Sequence, residues 1–114
     1  MKKVFSVYVV GLDPAASRRV APNGPVYVGE TSLTPVERLA KHKAGGLVAA
    51  RVVARHGRDL RPDLVIGPAN FETRAQALRA EWRLARRLRN RGFEVFGGQG
   101  RAFGRARQGD ERGE

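Results

Sequence analysis

Three side chains in one stretch give the first chemical signal. Between Val26 and Gly45 the chain reads VYVGETSLTPVERLAKHKAG, which holds Tyr27, Arg38 and His42. A phenol, a guanidinium fork and an imidazole are suitable tools for cleaving a phosphodiester, because the fork matches phosphate oxygens and the ring titrates near neutrality. Arg38 and His42 stand four apart, so a helix would set them on one face. The same residues also fit an ordinary strand aromatic beside a solvated helix face, and the elements around them must decide.

Those elements are well marked. Val26, Tyr27 and Val28 are β-branched or aromatic and sit beside turn formers, which predicts a strand. Gly29 then lets the backbone pass close to another group. Thr34, Pro35 and Glu37 supply an N-cap, a first-turn proline and a capping-box acid for a helix that ends at Gly45. Upstream, Val4 to Val10 (VFSVYVV) reads as a strand with Phe5, Val7 and Val9 on one face and Ser6, Tyr8 and Val10 on the other. The Asn23-Gly24 turn signal predicts that these two strands pair antiparallel across a long, basic loop. A second helix is predicted over Leu47 to His56, capped by Gly57, with Arg51 and Arg55 outward and His56 complementing the helix dipole. Asp63 to Gly67 (DLVIG), bracketed by Pro62 and Pro68, is predicted as a buried third strand.

The longest helix starts at a Thr73/Gln76 capping box and stops at Gly92. Ala77, Leu78, Leu84, Ala85 and Leu88 form its apolar stripe, and Glu81 falls inside it. A carboxylate there must be paired, neutralised or bound to a cation; a salt bridge to an arginine such as Arg38 is the alternative to a metal. Phe93 to Phe96 adds a short edge strand. Residues 98–114 are rich in glycine and charge, so a basic, disordered tail is expected after a single domain over residues 1–97.

Composition narrows the partners. The 114 residues carry a net charge of +11, supplied mostly by arginine, which favours polyanions, nucleic acid before anionic membrane. No cysteine is present, so disulfides and thiolate metal sites are excluded. Carboxylate and imidazole donors favour hard cations such as magnesium or manganese. The apolar run after Lys2-Lys3 is short and broken by Ser6 and Gly11, and no stretch approaches a membrane span. A cytoplasmic protein with no membrane partner is expected.

With these positions assembled, the chain resembles the GIY-YIG nuclease superfamily from Val4 to about Phe96. Ser6-Val7-Tyr8 matches the GIY triplet on the first strand, and Tyr27-Val28-Gly29 matches YIG on the second. Arg38 matches the family's helical arginine, His42 the histidine one turn later, and Glu81 the metal-binding glutamate on a later helix. Ser6 replaces the first glycine, and Glu30 stands where many members have a lysine or another polar residue. For the family's asparagine, Asn90 lies close to Glu81 in sequence, and Asn70 and Gln99 are the other candidates.

The resemblance implies a small α+β domain: a three-stranded mixed sheet, two strands of it a hairpin, flanked by helices. It implies a metal-dependent endonuclease acting on DNA with a single Mg2+ or Mn2+ on Glu81. Its roles fall to Tyr27 (activating water, with burial in a basic cleft lowering its pKa), Tyr8 (support or alternate base), Arg38 (holding the phosphate) and His42 (proton transfer or orientation). With no separate recognition domain in the chain, a targeting partner and a homodimer both stay open. Two other classes compete: a basic nucleic-acid-binding module without turnover, and a purely structural partner protein with Glu81 salt-bridged and the tyrosines packed.

Overall fold

The computed structural model describes residues 4–45 and 50–98. The expected tail (98–114, beyond Gly98), Gln99 and the start of the expected second helix at Leu47 lie outside them. Chain order is β1 (Phe5–Leu12), β2 (Pro25–Thr31), α1 (Pro35–Ala44), α2 (Arg51–His56), β3 (Gly57–Leu60), β4 (Asn70–Phe71), α3 (Arg74–Asn90) and β5 (Glu94–Gly97).

The fold is α+β with a mixed sheet, as expected, and the expected edge strand over Phe93–Phe96 is β5; the sheet has five strands in all, one more than the three central strands and this edge. Strand order is β3-β1-β2-β5, with β4 also on β1, and only the β2–β5 pair is parallel. The third strand is not where the apolar pattern predicts it. The run DLVIG contributes only a 3₁₀ turn, Pro62–Leu64, which buries Leu64, while the polar segment GRDL pairs with β1 as β3. Gly57 is the C-cap of α2, as expected, with its N–H on the carbonyl of Val53, and it enters β3 directly in an extended conformation at φ −63° and ψ 134°. Two prolines close together favour a turn over ladder pairing, because proline has no N–H to donate.

The local signals for α1 and α3 hold. Thr34 and Glu37 form a complete capping box, as do Thr73 and Gln76. The long loop after β1 is partly ordered: Asp13 caps a 3₁₀ turn, Pro14–Ala16, and buries Ala16.

Alternation along β1 and β2 gives the sheet two apolar faces. Val7, Val9, Val26 and Val28 meet Ala77, Leu84 and Leu88 of α3. On the other face Tyr8, Val10 and Leu12 meet Val53 of α2 and Leu39 of α1. Full burial of a residue such as Val28 or Leu88 stabilises the fold by about 1.5–3 kcal/mol each. Among the described residues no helix is long and apolar enough to cross a membrane.

Candidate active site

The hairpin register sets the two tyrosines side by side. Tyr8 lies opposite Gly29, and Tyr27 lies opposite Val10. Side chains two apart on a strand share a face, so Tyr27 and Gly29 point the same way as Tyr8. The phenol rings stand 6.2 Å apart. A methyl group at Gly29 would lie 2.6 Å from the Tyr8 hydroxyl and 2.9 Å from Cε2 of Tyr27. The Tyr8 hydroxyl therefore occupies the space that any other residue at position 29 would fill.

Helix α1 covers this pair and supplies Arg38 and His42. His42 is not on a wet face: it is fully buried, with its ring centroid 5.6 Å from that of Tyr27 and 6.2 Å from that of Tyr8. Its Nδ1 accepts the backbone N–H of Ala50 at 2.9 Å. That fixes the neutral tautomer, so Nε2 carries the proton and donates to the Tyr8 hydroxyl at 2.8 Å. A charged ring would need a proton on Nδ1, where a donor already points. Burial, helped by the charge of Arg38, pushes the His42 pKa down to about 4. Proton transfer near neutrality is thus closed to His42, while orientation of Tyr8 remains.

Both phenols move the other way. Burial is the largest cause in each case and raises both above the ordinary phenol range. For Tyr8 the next cause is Tyr27, while the charge and hydrogen bond of Arg38 oppose the rise. For Tyr27 the next cause is the charge of Glu81, opposed by Arg38 and by a hydrogen bond with Tyr8. The expected lowering of the tyrosine pKa by a basic cleft is therefore overturned, since desolvation outweighs the one nearby guanidinium.

Glu81 sits where the helical stripe predicts it, within the buried face of α3 and only 7% exposed. Its field reaches both phenols although α3 packs on the opposite face of the sheet. The structure so brings Tyr8, Tyr27, Arg38, His42 and Glu81 into one electrostatic neighbourhood, drawn from β1, β2, α1 and α3. Tyr8 and His42 are closed off from solvent; Tyr27 and Arg38 are half-buried.

Gly29 has the role its sequence position suggested, and the register shows that the group it lets approach is the Tyr8 hydroxyl. Glu30 faces α3, where it pairs with Arg74 at 3.4 Å, and its buried Oε2 has no hydrogen-bond partner among the described residues. Its charge also raises the Tyr27 pKa. Among the asparagine candidates, Asn70 accepts a 2.8 Å hydrogen bond from the hydroxyl of Ser6, tying β4 to β1.

Comparison of the chain with protein-family models, curated proteins and solved structures finds no match. Function must be argued from the geometry. Among the described residues no three His, Asp or Glu side chains group as a metal cage. A single buried carboxylate still fits a hard cation, because magnesium keeps several waters and commonly takes one or two carboxylates plus substrate phosphate oxygens.

Proposed function

We propose that this chain is a GIY-YIG-type nuclease domain that hydrolyses phosphodiester bonds in DNA with one divalent cation, magnesium or manganese. The observation that carries the reading is the junction just described, where Arg38 and Glu81, from helices on opposite faces of the sheet, both act on the phenols of Tyr8 and Tyr27. Opposite charges around a pair of phenols suit a reaction in which an anionic substrate must be held while a second negative charge grows on it.

Each residue has a task that its surroundings allow. Arg38, half-buried beside the phenols, holds the phosphate oxygens. Tyr27 is the more exposed phenol and orients the attacking water through its hydroxyl. With its pKa raised, Tyr27 rests as a phenol, and its proton leaves only when positive charge in the site outweighs burial. Tyr8 supports Tyr27 by hydrogen bonding, and His42 holds Tyr8 through Nε2–H. Glu81 would hold the cation, which when bound supplies Lewis-acid stabilisation of the leaving oxygen.

A second reading, a nucleic-acid-binding module without turnover, draws on a specific observation. With both phenols raised and His42 lowered, none of these three groups titrates near neutrality. Nicking of supercoiled plasmid with magnesium or manganese separates the two. The nuclease reading expects nicking by the wild type and none by Glu81→Gln, which keeps shape but loses the charge a cation needs. Wild-type protein that never nicks with either metal would sink it. Loss of about 3–5 kcal/mol of stability in the same variant would identify Glu81 as one half of a buried ion pair instead.

A further inference from the structure

A second feature of the surface lies beside the phenols. A cavity of about 590 Å³ runs along β5, between that strand, the loop before β2 and the last turn of α3. Arg18, Arg19 and Arg89 line it, together with Phe93 and Phe96. Elsewhere the ion pairs use Arg58, Arg61 and Arg74, and among the described residues none of the groove's three guanidiniums pairs with a carboxylate. Arg89 makes a long hydrogen bond of 3.4 Å to the carbonyl of Val95. The one acid in the lining, Glu94, is buried; its Oε2 accepts the backbone N–H of Arg18 at 3.0 Å. It therefore anchors the arginine-bearing loop to β5 without neutralising a guanidinium.

The far end of the groove meets the site. Phe96 lies beside Tyr27 in the parallel register, and a methyl group at Gly97 would fall 2.8 Å from Cε1 of the Tyr27 ring. Phe93 and Phe96 are only partly buried and both border the groove, Phe93 packed toward the α3 face of the sheet and Phe96 toward the tyrosine face. Arginines without a carboxylate partner, bordered by partly exposed aromatic residues, form the composition that binds single strands, with phosphates on the cations and an unstacked base on a ring such as Phe96. A duplex has no free base faces to offer.

We infer that the β5 groove binds a single-stranded nucleic-acid segment and leads its backbone to Tyr27 and Arg38. This inference takes its direction along the groove from the nuclease reading above, but its test reads binding alone. Anisotropy of a fluorescein-labelled oligothymidine is measured across a salt series with the full chain. The same is done for the double variant Arg18→Gln/Arg19→Gln, for Phe96→Leu, and for Arg51→Gln/Arg55→Gln as a control of equal charge on α2. Both arginines of the first pair are exposed, and the anchoring N–H of Arg18 survives the change.

The groove variant should bind about ten-fold or more weakly, and its log K against log salt slope should shrink by about 1.4, at roughly 0.7 for each phosphate that is no longer neutralised. Phe96→Leu should weaken binding with the slope unchanged, and the α2 control should bind nearly as the wild type. Equal weakening in the groove and α2 variants would overturn the inference, as would tighter binding of a hairpin duplex than of oligothymidine, or no binding at low salt. Groove-dependent binding by a protein that never nicks DNA would leave this inference standing and remove the nuclease reading.

Discussion

His42 makes the stability of this domain depend on pH in a defined window. In the unfolded chain the ring takes a proton near 6.5, whereas in the fold it does so only at about 4. Between those values the unfolded state binds more protons. The stability from the neutral ring is therefore fully present above 6.5 and declines as pH falls. The groups facing the ring are the Tyr8 hydroxyl, the Tyr27 ring, the Arg38 charge and the Ala50 N–H, and none offers a negative partner for an imidazolium. Linkage over this interval gives a loss of about 1 kcal/mol by pH 5.5 and about 2 kcal/mol by pH 4.5. For a domain of this size that is a fall in Tm on the order of 10 °C at the lower pH. Asp13, Glu37 and Asp63 also have lowered pKa values, but their effects come at more acid pH, below the ordinary carboxylate range. Thermal melts from neutrality to pH 4.5, with His42→Gln beside the wild type, isolate the step, which the variant should lack. A His42 ring that titrates near 6.5 by NMR, or a Tm that is flat down to pH 5, would refute the buried, neutral ring.

Three further changes probe the site. Gly29→Ala forces a methyl group against the Tyr8 hydroxyl and the Tyr27 ring, so it should cost about 1–3 kcal/mol in chemical denaturation and reduce nicking as the phenols shift. Tyr8→Phe leaves the buried Nε2–H of His42 without its acceptor and should cost about 1–3 kcal/mol, with the His42 pKa still below its ordinary value. Tyr27→Phe should leave the Tm close to that of the wild type, because this phenol is the more exposed, while nicking falls; an unchanged nicking rate would remove Tyr27 from the chemistry.

What the sequence disclosed and what it hid differ in range. Both capping boxes are written within four residues, so α1 and α3 could be placed from side-chain types alone. The hairpin was legible because alternation in VFSVYVV marks the strand and Asn23-Gly24 marks a turn, which centres on Pro22 and Asn23, closes from the N–H of Gly24 to the carbonyl of Ala21, and leaves Gly24 at a positive φ of 84°. Strand β3 was not legible. GRDL has no apolar pattern and is held by pairing to β1 and by the N–H of Arg61 on the carbonyl of Val9 at 2.7 Å. Its apolar neighbour DLVIG carried the pattern but not the strand. His42 could be placed one turn after Arg38, yet its burial depends on how α1 meets the sheet, and its tautomer on an N–H eight residues later.

The direction of the tyrosine shifts shows why residue types alone gave the wrong electrostatics. Counted along the chain, arginine is abundant, and a basic cleft around two phenols follows from that count. In space, Arg38 is the arginine whose charge bears most on either hydroxyl, while Glu81 opposes it at both and Glu30 at Tyr27. The acidic reach comes from sheet topology. Strand β5 covers the outer edge of β2 only as far as Val28, and beyond it Gly29 presents no side chain. Carboxylates on the α3 side, Glu81 and Glu30, act across the sheet on the phenols of the α1 side. Burial does most to keep the phenols protonated and the charge of Glu81 adds to it; under the proposed nuclease reading the same negative charge would serve to attract the cation.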